Sequence, residues 1–405
     1  MRRRIGARRN WDYVIARTEI HAGGVLNSSK LRVAMIGVGD ITMLHAPAYR
    51  DFAEAELVAL CDKSEALLRR RSAEWQVRRT TTDFRELLRD PAIDVVEVNT
   101  PHHLHRPIVV EALAAGKHVS CQKPMTVTIA DAEAMLAAAR ESRARFRVLE
   151  NFVFYPAYVK AKELLDAGEI GEVLTIRFKL GTGLFGSRVV PLEAELWHLL
   201  ESDKGMGQAV FDDGYHKLSL AIHFLGAIGS VKGYIDRTFH YADEPAQLVW
   251  RYRDRPTIGV FDIAFTPNLH TRSKYFPADE RVEITGTRGQ LLLSCCTGRI
   301  VDDPPLVLVR DGRRTVFDDL DTDWQASFTA GIRDFPRAIR DGRDSALTGE
   351  RALEVLRFAF ALILAAKRGA EVRPEDVTDE AVAAELVVHD GSAAHAAAAS
   401  RGAHP

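Results

Sequence analysis

Three side chains in this sequence have the types and spacing needed to move a proton. Lys123 follows His118-Val-Ser-Cys-Gln122 and precedes Pro124. The run before it reads as a buried parallel strand, and Pro124, which has no N–H, ends the ladder there. Lys123 then stands at the carboxyl end of a strand, the edge where open α/β sheets bind ligands. Asp212 and His216 are four residues apart in FDDGYH. On a helix they share a face, and a carboxylate beside an imidazole orients it and raises its proton affinity. Gly214 between them leaves room for a ligand. Singly, each has a plainer reading: a solvated loop lysine, a helix cap, a surface histidine.

A second set suits a nucleotide. GVGDIT occupies residues 37–42, directly after the apolar run LRVAMIG. Gly37 permits a tight turn, and Gly39 lets the backbone approach a pyrophosphate. Free N–H groups of a following helix would face it. Thr42 stands where the third glycine of G-x-G-x-x-G is expected, which should hold the helix slightly farther from the sheet. Asp62 lies 23 residues beyond Gly39, at the end of the second strand. An acid there accepts hydrogen bonds from both ribose hydroxyls and repels a 2′-phosphate, favouring NAD over NADP. Lys63 next door works the other way, and a helix cap is the plain alternative for Asp62.

These residues need elements to position them. Strands expected at 31–37, 56–62, 94–101, 118–122 and 146–151 alternate with helical stretches, which argues for a doubly wound parallel sheet. After a helix ending at Gly168, runs at 174–181, 231–240, 246–253, 257–265, 281–287 and 290–295 follow one another through turn residues. That pattern predicts a mostly antiparallel sheet. Helices are expected at 206–225, 324–340 and 348–369. The fold class is therefore α/β: an N-terminal Rossmann domain over 31–150 and a C-terminal α+β domain over 151–376, with an open, mostly antiparallel sheet. Residues 1–30 carry seven Lys/Arg against two Asp/Glu and read as a disordered basic extension. Residues 377–405 are Ala-rich and read as a disordered tail.

Composition removes several classes. The 405 residues are 46% hydrophobic and 27% charged, with a formal net charge of −2. That is a globular profile with no field directed at nucleic acid. No apolar run approaches the ~20 residues of a membrane span. Cys61, Cys121, Cys295 and Cys296 show neither a disulfide framework nor a zinc spacing, so no metal is expected and a reducing cytoplasm fits.

NTPHHLHRPIVVEALAAGKHVSCQKPM, NFVFYPAYVKAKELLDAGEIGEV, FDDGYH and GERALEVLRFAFA together resemble the glucose–fructose oxidoreductase/inositol dehydrogenase (Gfo/Idh/MocA) family. The likeness spans about residues 31–376. The family usually has Glu-Lys-Pro where this chain has Gln122-Lys123-Pro124, and Asp-x-Gly-x-His-x-x-Asp where it has Asp212, Gly214, His216 and Ser219. The resemblance implies Lys123, Asp212 and His216 as the catalytic set. It implies Gly37, Gly39, Asp40, Ile41, Asp62, Thr100, Pro101, His105, Gln122 and Lys123 around the cofactor. Tyr155, Trp197, His198 and Lys217 are then candidate substrate contacts.

The reaction this implies is oxidation of a secondary hydroxyl of a sugar, glycoside or cyclitol to a ketone, or its reverse, with NAD. His216, oriented by Asp212, would take the hydroxyl proton, with Lys123 on the same oxygen; sequence leaves open which is the immediate base. The expected partner is a small polyol, with no nucleic acid and no membrane, in a homodimer or homotetramer. A redox-neutral NAD-dependent glycosidase or lyase and a non-enzymatic nucleotide sensor stay open.

Overall fold

A computed structural model describes residues 30–183, 185–187, 208–236, 244–294 and 297–385. The first sheet has six strands: β1 (Leu31–Ile36), β2 (Ala55–Cys61), β3 (Arg79–Thr81), β4 (Val95–Val98), β5 (His118–Gln122) and β6 (Phe146–Leu149). They run parallel in the order 3-2-1-4-5-6. Parallel strands are buried on both faces and read as continuous apolar runs. Thus Val33–Ile36 and Val95–Val98 are enclosed along their length. The order reverses between β1 and β4, and the crevice at their carboxyl ends is the usual ligand site of such sheets. The short β3 had no apolar run to announce it.

The second sheet begins with β7 (Val173–Thr182), β8 (Ile228–Ile235), β9 (Ala246–Tyr252) and β10 (Ile258–Phe265). The short β11 (Arg272–Ser273) is followed by β12 (Ala278–Gly286) and β13 (Gly289–Ser294), and a second short strand, β14 (Gly298–Arg299), by β15 (Leu306–Arg310) and β16 (Arg313–Phe317). Eight of them form the order 16-15-13-12-7-10-9-8, antiparallel except for the β7–β10 pair. One face is clean alternation: in β9 Ala246, Leu248, Trp250 and Tyr252 point inward. Helix Gly349–Arg368 packs there, with Phe358 against Trp250 at 5.2 Å. Each such fully buried large side chain contributes roughly 1.5–3 kcal/mol.

Helix Trp324–Asp341, which follows the second sheet in the chain, packs back on the first domain. Gln325 Nε2 donates to the Leu44 carbonyl at 2.7 Å, and Arg333 donates to the carbonyls of Ala48 and Arg50 at 2.8 and 2.7 Å. Arg147 of β6 donates back to the Gly331 carbonyl at 2.6 Å.

Several local expectations change. The helix after GVGD is one turn, Thr42–His45, then a 3-10 turn, Ala46–Tyr49, because Pro47 supplies no N–H to continue it. The stretch expected to open as helix at 151 is a 3-10 turn, Asn151–Phe154, followed by helix Pro156–Asp166. Regular structure runs past 376: helix Asp379–Glu385 brings Asp379 onto the N–H groups of Ile129 and Ala130 at 2.7 and 2.8 Å. The basic start, the segment with Trp197 and His198, Cys295–Cys296 and the Ala-rich end lie outside the described residues. No helix among the described residues is long and apolar enough to cross a membrane.

Candidate active site

Lys123 leaves the carboxyl end of β5 and meets Asp212 from the other domain. Its Nζ donates to Asp212 Oδ1 at 2.5 Å and to the Asp212 carbonyl at 3.1 Å. The carbonyl is within reach because residues 208–213 form a π-type turn that opens into helix Gly214–Leu225. Such widened turns recur at functional sites. Burial opposes the Lys123 ammonium, but Asp212, Asp213 and Glu150 outweigh it and raise its pKa. Lys123 is therefore a charged donor.

His216 is oriented by a different carboxylate than the one expected. Its Nδ1 lies 2.7 Å from Glu150 Oε1, while Asp212 is engaged by Lys123. The helical spacing of Asp212 and His216 does not make them partners, because Asp212 sits in the π-type turn and faces across the cleft. Glu150 follows β6, is fully enclosed, and accepts the Phe152 N–H at 2.9 Å. Burial pushes its pKa up, yet His216, the Phe152 amide and Lys123 prevail and hold it below the usual carboxylate range. With Glu150 ionised, Nδ1–H is the donor and Nε2 keeps its lone pair. Burial lowers the His216 pKa despite Glu150, with Lys123 adding to the effect, so the ring is neutral near pH 7. Phe152 stacks on it at 4.0 Å between centroids, fixing its plane.

These groups face a cavity of about 810 Å³ that runs between the domains to the β1–β4 crevice. At its far end Gly37 has φ +85°, and a Cβ there would lie 2.6 Å from the Asn99 carbonyl oxygen. Only glycine fits. Gly39 meets nothing within 4 Å of its Cβ direction, leaving the backbone open to a ligand. Asp62 Oδ2 accepts the Val38 N–H at 3.0 Å and Oδ1 the Ser64 N–H at 2.9 Å, so its carboxylate is aimed along the wall. Asp40, Ile41, Thr100 and Pro101 line the same wall. Thr42, where the third glycine was expected, is buried and donates its hydroxyl to the Gly39 carbonyl at 2.5 Å, bracing the turn. Asn99 Nδ2 and Thr100 Oγ1 are buried with no partner among the described residues. A crevice with a glycine cradle, an aimed acid and orphaned polar atoms fits a dinucleotide.

Gln122 has a defined orientation. Its Oε1 accepts the Lys123 N–H at 2.8 Å, which turns its amide nitrogen to His45 Nε2 at 3.0 Å. His45 Nδ1 lies 3.3 Å from Glu97, which also accepts the Tyr49 hydroxyl at 2.5 Å. The amide thus ends a buried chain that begins inside the Rossmann sheet.

Two expected contacts lie elsewhere. His105 is fully enclosed behind the wall, between the carbonyls of Met125 at 3.1 Å and Thr100 at 2.8 Å. Burial, with His102 adding to it, pushes its pKa down to about 4, so the neutral ring braces the wall and does not face the cavity. Tyr155 is 1% exposed and points its hydroxyl at the Thr322 carbonyl, 3.4 Å away, away from the cavity. Lys217 does line it, paired with Glu280 of β12. Ser219 is buried in the helix and does not line this cavity. Sequence reasoning missed Glu150, His45 and Glu280, which meet His216, Gln122 and Lys217 across 66, 77 and 63 residues of chain. No group of three or more potential metal ligands occurs among the described residues.

The arrangement matches known proteins. Residues 31–150 match the model of an oxidoreductase family with an NAD-binding Rossmann fold, and residues 158–292 match that family's C-terminal domain, both designated GFO/IDH/MocA. A D-apiose dehydrogenase from Paraburkholderia graminis is 26% identical over 90% of this chain and 96% of its own length. The myo-inositol 2-dehydrogenase of Thermotoga maritima is 25% identical over 86% of this chain and 99% of its own. A levoglucosan dehydrogenase in complex with NADH and levoglucosan superposes with a TM-score of 0.71, at 21% identity over 85% of this chain and 99% of that one.

Proposed function

The chain belongs to the GFO/IDH/MocA family of NAD-binding oxidoreductases, and on that footing we infer that His216 is the base, and Lys123 the charged donor, in the oxidation of a secondary hydroxyl to a ketone. It is an NAD-dependent dehydrogenase acting on CH–OH groups, and its substrate class is sugars and cyclitols, as with its apiose and inositol dehydrogenase relatives. The observation that carries the reading is the convergence of a neutral His216 and a protonated Lys123 at the end of a dinucleotide-shaped crevice.

Bound NAD would supply a hydride acceptor at C4 of its nicotinamide. Gly37 and Gly39 would hold the pyrophosphate, Asp62 the adenosine ribose, and Gln122, Thr100 and Pro101 the nicotinamide half. His216 Nε2 takes the hydroxyl proton, and Glu150 stabilises the imidazolium that forms. Lys123 donates a hydrogen bond to the same oxygen and offsets the charge that develops there. Asp212 keeps Lys123 charged and aimed. The enclosure of Lys123, Asp212 and His216 strengthens each of these interactions, because little water screens them. Residues 31–150 form the cofactor half and 151–376 the substrate half.

The reading includes a cytoplasmic homodimer or homotetramer. Cys61 and Cys121 are buried free thiols, suited to a reducing compartment. Tyr234, Val249 and Ile258 are exposed on the outward face of the second sheet, apolar surface that a subunit contact would cover. Light scattering that finds a monomer contradicts the oligomer. The function is tested by NAD reduction across aldoses, anhydrosugars and inositols. NADH formation with at least one is expected; none would defeat the assignment.

A further inference from the structure

One hydrogen-bonded chain behind the site takes no part in the acid–base chemistry, yet it ends on the residue beside Lys123. Glu97 lies in β4, whose other members, Val95, Val96 and Val98, are core. It is 2% exposed, accepts the Tyr49 hydroxyl, and faces Nδ1 of the equally enclosed His45 at 3.3 Å. Burial pushes the Glu97 pKa up, but His45, Tyr49 and Arg147 prevail and hold it below the usual carboxylate range. A buried charge is costly, and apolar side chains of the same volume often serve stability as well. Packing therefore does not explain a carboxylate in the middle of a parallel sheet.

The direction of every bond in the chain follows from one donor. The Lys123 N–H can only donate, so Gln122 turns Oε1 to it at 2.8 Å. Gln122 Nε2 then points at His45 Nε2, 3.0 Å away, and an amide nitrogen can only donate. His45 Nε2 is therefore the acceptor, and the ring hydrogen sits on Nδ1, where Glu97 accepts it. The carboxylate sets the tautomer, the tautomer sets the amide, and the amide holds the backbone of Lys123. A glutamate at 122 would offer this chain no N–H. A second grip on His45 comes from the other domain. Gln325 of helix Trp324–Asp341 donates to the carbonyl of Leu44, and Phe328 of the same helix packs on the His45 ring at 5.4 Å between centroids. His45 thus lies where that helix meets the Lys123 turn.

We propose that His45 and Glu97 are positioning residues for the dehydrogenation: through Gln122 they hold the backbone from which Lys123 reaches the substrate oxygen. This rests on the dehydrogenase reading above. The test is a double-mutant cycle on kcat with a polyol that the parent oxidises, and NADH titration reports the folded fraction of each variant. His45→Leu should lower kcat by about 10–100-fold, the scale of a misplacement of ~1 Å, with the polyol KM and NADH affinity within about threefold of the parent. Gln122→Met should lower kcat similarly. His45→Leu added to Gln122→Met should cost less than about threefold more, because residues that act through one another do not add. His45→Gln, whose side-chain oxygen can accept in place of Nε2, should recover most of the loss. A role in stability alone would lower the melting temperature of His45→Leu and leave its kcat per NADH-binding site unchanged. Without substrate or cofactor, 15N-histidine spectra of the parent should show the His45 hydrogen on Nδ1, the signal being assigned by its absence from His45→Gln. If His45→Leu binds no NADH, Gln122→Met and these spectra decide the matter. Parent-like kcat in His45→Leu or Gln122→Met, a full further loss in the double variant, or a parent ring with its hydrogen on Nε2 would overturn the positioning role and leave the dehydrogenase intact. A parent that oxidises no polyol instead overturns the dehydrogenase reading and this inference together.

Discussion

At the scale of single residues, the account turns on which carboxylate serves which base. Glu150 holds His216, and Asp212 holds Lys123. The first pairing has a consequence in pH. The His216 pKa is already depressed by burial, and Glu150 is the group that raises it. Glu150→Gln removes that raising contribution, so the pKa falls further. Neutral imidazole is the active form in oxidation, so the acid limb of the kcat/KM profile should move to lower pH in the variant. The plateau should drop about 10–100-fold, because the imidazolium loses its counter-charge. A limb that moves to higher pH, or an unchanged plateau, speaks against Glu150. Asp62→Ala should narrow the preference for NADH over NADPH, read as the ratio of dissociation constants by fluorescence titration. A parent that binds NADPH as tightly as NADH contradicts the role of Asp62. Lys123, His216 and Asp62 were legible in the sequence because each sits at a marked place, a strand end or a helix turn. Glu150 was not: it ends an ordinary strand, and its partner is 66 residues away. His105 sits in a motif that suggests a cofactor contact, but desolvation makes it a neutral wall brace.

At the scale of elements, hydrophobic periodicity gave both sheets. Continuous apolar runs marked the parallel strands, and alternation marked β9 and β10. What periodicity missed was short or irregular. The β15–β16 hairpin was detectable from its Asp311-Gly312 turn, where both residues have positive φ. The π-type turn at 208–213 left no such signal, and the bond its Asp212 carbonyl accepts from Lys123 joins residues 89 apart in the chain. The β1 turn yields a prediction at this scale. Gly37→Ala puts a Cβ 2.6 Å from the Asn99 carbonyl oxygen on a backbone of φ +85°. The variant should lose about 1–3 kcal/mol of stability, and its NADH affinity should fall with it, since the same turn forms the cradle. Denaturant unfolding and NADH titration measure the two; full retention of both means the turn relaxes freely.

At the scale of the whole molecule, the site exists only where the two domains meet. Lys123 comes from β5 of the Rossmann sheet, and Asp212 and His216 come from the turn and helix before β8. Glu150 lies at the junction itself, immediately after β6. Helix Trp324–Asp341 holds the halves in register by donating to carbonyls of residues 44–50. Two separately ordinary features, a strand-end lysine and a helical histidine, become acid–base chemistry through this closure. The most direct test is steady-state turnover of Lys123→Met and His216→Ala with a polyol that the parent oxidises, measured beside NADH affinity. Each variant should lose about 10²–10⁴-fold in turnover, keep NADH binding within a few-fold of the parent, and combine less than multiplicatively. Near-parent turnover in His216→Ala would contradict the account.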